Sequence, residues 1–294
     1  MRRLLKHLAC LLAYGTLGAF VALVALYVSL LRSHPELQPW HRVALHSEFR
    51  AADAGQVHTL DDYLALEARL FEELSDQIYE RAGSESPARF IRYTAGSRAD
   101  PRSQSPDWNR TFEPRAQPAV GGALLLHGLS DSPYSLRTVA ARLHQRGYWV
   151  VGLRLPGHGT VPEALKHVQW EDFAAAVRIG ARHLRGRIGE RTPLVIVGYS
   201  NGAALAVQYA LARLQGEDLP RVDALILLSP AIGVAPVAAL AVWQGRIGLL
   251  LRSVARLSAR RWATSCCTRP RSRDGPRRRQ TEPRAGPGYR RQRG

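Results

Sequence analysis

Histidine runs out long before the chain does: the ten histidines lie between His7 and His183, and none occurs in the remaining residues to Gly294. Cysteine is scarcer still. Cys10 sits in an apolar run and Cys266 and Cys267 are neighbours, so the three offer no disulfide framework and no Cys/His spacing for zinc. No glycine-rich phosphate loop, dinucleotide fingerprint or paired-carboxylate constellation is present, and neither a cofactor nor a metal is expected. Acidic residues nearly vanish at the C-terminal end. From residue 252 to 294 fourteen arginines face only Asp274 and Glu282, so this stretch carries +12 of the formal net charge of +17. The preceding 251 residues carry +5, which is ordinary for a folded domain. Basicity therefore belongs to a tail and not to the fold.

Charge is also missing near the start. After the basic leader 1–7, which holds Arg2, Arg3 and Lys6, residues 8–31 contain no charged side chain, and Arg32 ends the run. Twenty-four such residues exceed the ~20 that cross a bilayer and the ~7–15 of a cleavable signal core. The expectation is a single membrane-spanning anchor, with an overlong cleaved signal peptide as the alternative. Three cations precede the run and one follows it, which places the N-terminus in the cytoplasm and the rest of the chain outside it, in the periplasm of a bacterium.

Residues 32–118 read as a connecting region. Its first part, 33–56, is polar and contains Pro35 and Pro39, the signature of a linker or an irregular packing segment. Leu60, Tyr63, Leu64, Leu70, Phe71, Leu74 and Ile78 then recur at helical spacing, predicting an amphipathic helix over 60–80. Residues 83–118 are rich in Ser, Pro, Arg and Asp and read as loops, with one short strand at 90–93. From residue 119 the pattern is regular. Apolar strands at 123–126, 149–153, 195–197 and 224–228 alternate with helical patterns at 135–145, 168–184 and 201–214. That alternation predicts an α/β domain with a mostly parallel sheet and helices on both faces.

Gly198-Tyr199-Ser200-Asn201-Gly202 fits the G-x-S-x-G pattern, and it stands between a β-branched strand and an alanine-rich helix. Small residues at 198 and 202 let strand and helix approach closely around the serine. Two further strand ends carry marked loops, His127-Gly128-Leu129-Ser130 and Leu155-Pro156-Gly157-His158-Gly159. With these three motifs in this order, the stretch 120–230 resembles the α/β-hydrolase superfamily, in particular its carboxylesterase and monoacylglycerol-lipase-like branch. The resemblance implies a doubly wound fold and a serine nucleophile, Ser200. It also implies an oxyanion hole made by the backbone amides of Leu129 and Asn201, with the Leu129 side chain lining an acyl pocket. In that family His127 shapes the oxyanion loop and does not act as the base, and His158 reads as a turn residue. Asp131 and Ser132 read as caps of the next helix. Asp218 and Asp223 follow the nucleophile but flank the start of a strand, at the wrong end of the sheet for a triad acid.

The family order is Ser…Asp/Glu…His, and here no histidine follows Ser200. The triad acid and base are thus not identified, and a serine hydroxyl without a base is a poor nucleophile. The expected protein is a membrane-anchored serine hydrolase of acyl esters, impaired as written. The partial core is expected to span 119–251, and 252–294 to be disordered. Two readings of this tail stay open: translation out of frame in GC-rich DNA, or a basic arm for nucleic acid or anionic lipid. Nucleic acid is the less favoured partner, because the anchor orientation places the tail outside the cytoplasm. A non-catalytic protein that keeps the pocket for binding is the alternative function.

Overall fold

The computed structural model describes residues 2–32, 37–80, 91–94, 96–105 and 107–233. The expected end of the core at 234–251, the tail and Phe90 lie outside these residues. The chain divides into two units, Met1–Ile232 and Gly233–Gly294, and the description below concerns the first.

Helix α1 spans Arg2–Arg32, and its segment Cys10–Leu30 is long and apolar enough to cross a membrane. None of that segment is buried against the protein; Leu11, Leu17, Phe20 and Leu23 are all exposed. Apolar side chains in that state need a bilayer or a partner to cover them. Helix α2, Leu60–Leu74, begins at a capping box in which Thr59 accepts from the Asp62 amide and Asp62 accepts from that of Thr59. It continues through a single π turn at Ser75–Tyr79. Its buried face, including Leu60, Tyr63, Leu70, Phe71 and Leu74, is the one marked by the helical spacing.

Among the described residues four parallel strands form the sheet: β1 Gly121–Leu126, β2 Tyr148–Leu153, β3 Leu194–Tyr199 and β4 Ala224–Leu228, in the order β2-β1-β3-β4. The crossovers are α3 Arg137–Gln145, α4 Trp170–Ile188 and α5 Asn201–Leu214. The chain winds one way from β1 to β2 and the other way from β2 to β3 and β4. Right-handed crossovers must then put α3 on one face and α4 and α5 on the other. The side chains agree. Ala123, Leu125, Val150 and Val197 pack with Leu136 and Ala140 at α3, whereas Leu124, Leu126, Val151 and Ile196 pack with Val177, Leu205 and Tyr209 of α4 and α5. Successive strand residues thus serve opposite faces. This is the α/β-hydrolase arrangement expected from the motifs.

Three local expectations are resolved. Residues 91–93 form a turn and not a strand, and the outer pairing on β2 is a single antiparallel bridge from Phe112 to Gly152. Of the two readings of the segment before α2, residues 37–56 follow the irregular packing segment and not the linker, because Leu45, Glu48 and Phe49 are buried and two short 3-10 turns, Pro39–His41 and Ala51–Gly55, organise them. Neither Asp131 nor Ser132 caps a helix through its side chain. Ser132 precedes a 3-10 turn without a side-chain cap, and Asp131 Oδ1 accepts instead from the neighbouring Ser132 amide.

Candidate active site

Winding reverses between β1 and β3, and in an open α/β sheet the crevice at such a reversal is where ligands bind. The loop after β1 carries His127-Gly128-Leu129-Ser130, and the turn after β3 carries Ser200. Close packing welds the two together. A Cβ on Gly202 would stand 2.1 Å from the Leu126 carbonyl oxygen, and one on Gly198 would stand 2.4 Å from the Ala203 Cα. Only glycine fits at either place.

Ser200 has φ 52° and ψ −110°, a conformation that L-residues avoid. Its amide donates to Leu228 O at 2.9 Å, and its carbonyl accepts from the amides of Ala203, Ala204 and Ala231. The end of β4 therefore helps to hold the strained turn. The described residues contain two other non-glycine residues with positive φ, Ser130 at 61° and Ser229 at 46°, and both follow strand ends of the same sheet. Strain of this kind gathers where a structure over-determines a functional geometry.

Asn201 opens α5, so its amide is one of the first-turn donors that no helical carbonyl reaches. The Leu129 amide lies in the turn beyond Gly128, and a Cβ at Gly128 would be 3.5 Å from the Ser200 Cβ. Among the described residues neither amide has an acceptor. Two amides beside one hydroxyl, one of them at the positive end of a helix, can stabilise an oxyanion that forms on attack by that hydroxyl. The Leu129 side chain is exposed and lines a cavity of about 630 Å³ with Leu136, Val139, Tyr199 and Leu228.

His127 is fully buried, and both ring nitrogens are spent on backbone. Nδ1 lies 2.8 Å from Gly128 O and must donate to it, while Nε2 accepts from the Leu155 amide at 3.0 Å. Burial, helped by the neighbouring His158, pushes its pKa down to about 3. A neutral ring with no free nitrogen cannot take a proton from Ser200. It ties the loop after β1 to the turn after β2.

That turn depends on Gly157 and Gly159 at φ 74° and 75°, which let His158 fold inward. His158 Nδ1 donates to Pro156 O at 2.8 Å, and its ring packs edge-on against His127 with centroids 4.9 Å apart. Burial lowers its pKa as well. The turn is anchored from behind by Arg154, whose side chain is 1% exposed. Arg154 donates to Glu48 through Nη1 at 3.1 Å and Nη2 at 2.9 Å, to Glu67 through Nε at 3.1 Å, and to His158 O through Nη1 at 3.1 Å. Tyr63 Oη donates to Arg154 O at 2.8 Å. The segment after α1 and helix α2 thus reach the loop after β1 through Arg154, His158 and His127. Sequence patterns did not single out Arg154, Glu48 or Glu67. The available signal was one arginine closing the apolar strand Tyr148–Leu153.

No acid or base for Ser200 emerges among the described residues. Asp223 Oδ2 accepts from the Leu194 amide at 2.9 Å, which fixes it at the opening of β3, the far end of the sheet from Ser200. Asp218 stands just before that end, its carbonyl accepting from Arg182. His183 pairs with Glu113, which also accepts from Trp149 Nε1 of β2. Among the described residues no cluster of His, Cys, Asp and Glu suits a metal.

Comparison with known proteins gives this site its context. Residues 117–283 match the family described as serine aminopeptidase, S33, which is more than half of the chain. The chain belongs to that family. Its members are serine hydrolases with the α/β-hydrolase fold. The match covers all four strands, and it leaves out α1, α2 and the segment that holds Glu48 and Glu67. A thermostable monoacylglycerol lipase of Bacillus sp. (strain H-257) is 29% identical over 133 residues, 45% of this chain and 50% of that protein. Among solved structures, one of the metagenome-derived lipolytic enzymes LipS and LipT aligns with TM-score 0.39 at 27% identity, over 45% of this chain and 50% of that one. A monoacylglycerol lipase of Paleococcus ferrophilus aligns with TM-score 0.36 at 25% identity, over 47% and 51%. The chain spans about half the length of these relatives.

Proposed function

We propose that this protein is a membrane-anchored serine hydrolase of carboxylic esters, with Ser200 as nucleophile and the amides of Leu129 and Asn201 as the oxyanion hole. The observation that carries the reading is Ser200 itself, held at φ 52° between β3 and α5 against the His127-Gly128 turn. A structural serine has no need of that strain. The lipolytic relatives support an acyl or lipid ester as substrate. Helix α1, exposed and apolar along Cys10–Leu30, supports attachment to a membrane, with the domain on the side away from Arg2, Arg3 and Lys6.

Hydrolysis by this chain is slow by the standard of complete triads. His127 has no free nitrogen and no other described histidine is tied to the Ser200 turn, so Ser200 has no evident proton acceptor. A fluorophosphonate probe tests both parts. The protein should label at Ser200, far more slowly than a hydrolase with an intact triad, and Ser200→Ala should abolish labelling. Labelling that survives Ser200→Ala would remove Ser200 from the reaction, and labelling at the full triad rate would remove the claim of impairment. Absence of labelling in a protein that still binds a ligand would favour a non-catalytic binding role.

A further inference from the structure

Helix α2 and the loop after β1 are joined by a run of hydrogen bonds that all point the same way. Tyr63 Oη of α2 donates to Arg154 O at 2.8 Å. That carbonyl belongs to the Arg154–Leu155 peptide, whose N–H donates to His127 Nε2 at 3.0 Å. Because Nε2 accepts, the ring proton must sit on Nδ1, which lies 2.8 Å from Gly128 O and donates to it. Gly128 O belongs in turn to the Gly128–Leu129 peptide, whose N–H is the Leu129 amide. A planar trans peptide carries its C=O and its N–H on opposite sides. Each peptide therefore accepts on one side and donates on the other, and the Leu129 N–H points away from the buried His127 ring.

The relay is dry. Tyr63 and Arg154 are 1% exposed, and Leu155 and His127 are 0% exposed. Burial pushes the Tyr63 phenol well above its usual range, so it remains a donor. Arg154 is held in place from three further sides: its amide donates to Thr111 Oγ1 at 3.0 Å, and its side chain pairs with Glu48 and Glu67. In a low dielectric, hydrogen bonds in a chain polarise one another by ~10–30% each, and a head-to-tail run adds these increments in one sense. His158, the ring neighbour of His127, stands outside the relay, because its Nδ1 donates to Pro156 O and its Nε2 has no partner among the described residues. The relay residues from His127 to Leu155 lie within the family match at 117–283, and Tyr63 lies outside it.

We propose that Tyr63 is a positioning residue for the oxyanion hole. Its hydroxyl orients the Arg154–Leu155 peptide, that peptide sets the His127 tautomer, and the His127 ring aims and strengthens the Leu129 amide. The use of that amide as an oxyanion donor rests on the hydrolase reading above; the relay from Tyr63 to Gly128 does not. Removing an oxyanion donor outright costs ~100- to 1000-fold in rate. Weakening one by ~10–30% should therefore cost about two- to eightfold.

The test uses the full chain in detergent with isotope-labelled histidine, followed by proton–nitrogen correlation spectra. The His127 signals are those lost in His127→Gln. In the parent, His127 should carry its proton on Nδ1. Tyr63→Phe should move that proton resonance upfield, as a weakened hydrogen bond does, and should slow fluorophosphonate labelling of Ser200 about two- to eightfold. Tyr209→Phe controls for a merely structural loss: Tyr209 is equally buried, and its Oη donates to Pro220 O at 3.0 Å, outside the relay. It should leave both readouts at their parental values. A His127 proton on Nε2 overturns the proposal. So does an Nδ1 proton that Tyr63→Phe leaves in place or that Tyr209→Phe moves equally, and so does a parental labelling rate in Tyr63→Phe. Should Tyr63→Phe fail to fold, meta-fluorotyrosine at position 63, a stronger phenol donor, should move the same proton downfield, and an unmoved resonance there overturns the relay. A shifted His127 proton in a protein whose Ser200 never labels supports the relay and overturns the hydrolase reading alone.

Discussion

Replacing Gly202 with alanine tests the geometry on which the whole site depends. The added methyl group would stand 2.1 Å from Leu126 O, 2.6 Å from Leu126 C and 2.7 Å from His127 O. Ordinary contact for a Cβ begins near 3.4 Å, so the first turn of α5 must retreat from β1 by roughly 1.3 Å. Nothing soft absorbs this, because all three obstructing atoms are backbone and β1 is hydrogen-bonded to β2 and β3 on both sides. Overpacking costs ~1–3 kcal/mol, and a clash confined to backbone belongs at about 3 kcal/mol. The retreat also carries the Asn201 amide away from Leu129, and a misplacement of about 1 Å costs a reaction on the order of 100-fold. Urea denaturation and the second-order rate of fluorophosphonate labelling read the two effects separately. Gly186→Ala is the control: it lies within α4, a Cβ there meets nothing within 4 Å, and helix propensity favours alanine by about 1 kcal/mol. A Gly202→Ala protein with the parental urea midpoint and labelling rate would refute the close approach of α5 to β1.

Removing one partner from the buried ion cluster should be severe. Glu48→Ala leaves Arg154 with one carboxylate and should cost about 3–5 kcal/mol, read from the urea midpoint; a loss below about 1 kcal/mol would mean the pair is effectively solvated. Tyr63→Phe leaves the Arg154 carbonyl without its donor and should cost about 1–3 kcal/mol, checked in the same assay. Acid should destabilise the domain through His127. The folded ring stays neutral down to about 3 while the unfolded ring titrates near 6.5, so the unfolded state binds the extra proton between these values. Stability contributed by this residue is complete above about 6.5 and falls with pH through that window, by up to about 1.4 kcal/mol per unit. His127→Gln should flatten the dependence, and parallel stability–pH curves for the two proteins would exclude His127 as its source. Deleting residues 2–32 should move the protein from the membrane pellet to the supernatant on fractionation, and continued sedimentation would show attachment by another route.

Much of this protein is legible along the chain, because local rules govern those parts. The uncharged run at 8–31 needs no tertiary context to be too apolar for water. Short apolar runs placed the four described strands and period-3.6 patterns placed helices α2 to α5, with α5 at 201–214 and β4 at 224–228 as expected. The motif glycines also spoke for themselves, and the structure gives each its neighbour: Gly198 serves the approach of β3 to α5, and Gly202 that of α5 to β1.

Tertiary structure decided which of the earlier residues matter, and the reason is sequence separation. Glu48, Glu67 and Arg154 lie 19 and 87 positions apart, and in sequence each is simply a charged residue on a polar segment or at a strand end. Only when the segment after α1 folds over β2 do their charges share one desolvated space, where they must pair or be expelled. The same folding packs the segment after α1 onto the domain, with Trp40 5.0 Å from the Tyr93 ring. His127 and His158 could be read as turn residues from their motifs. That one has both nitrogens satisfied and the other has a buried acceptor left over depends on hydrogen-bond geometry, which no periodicity encodes.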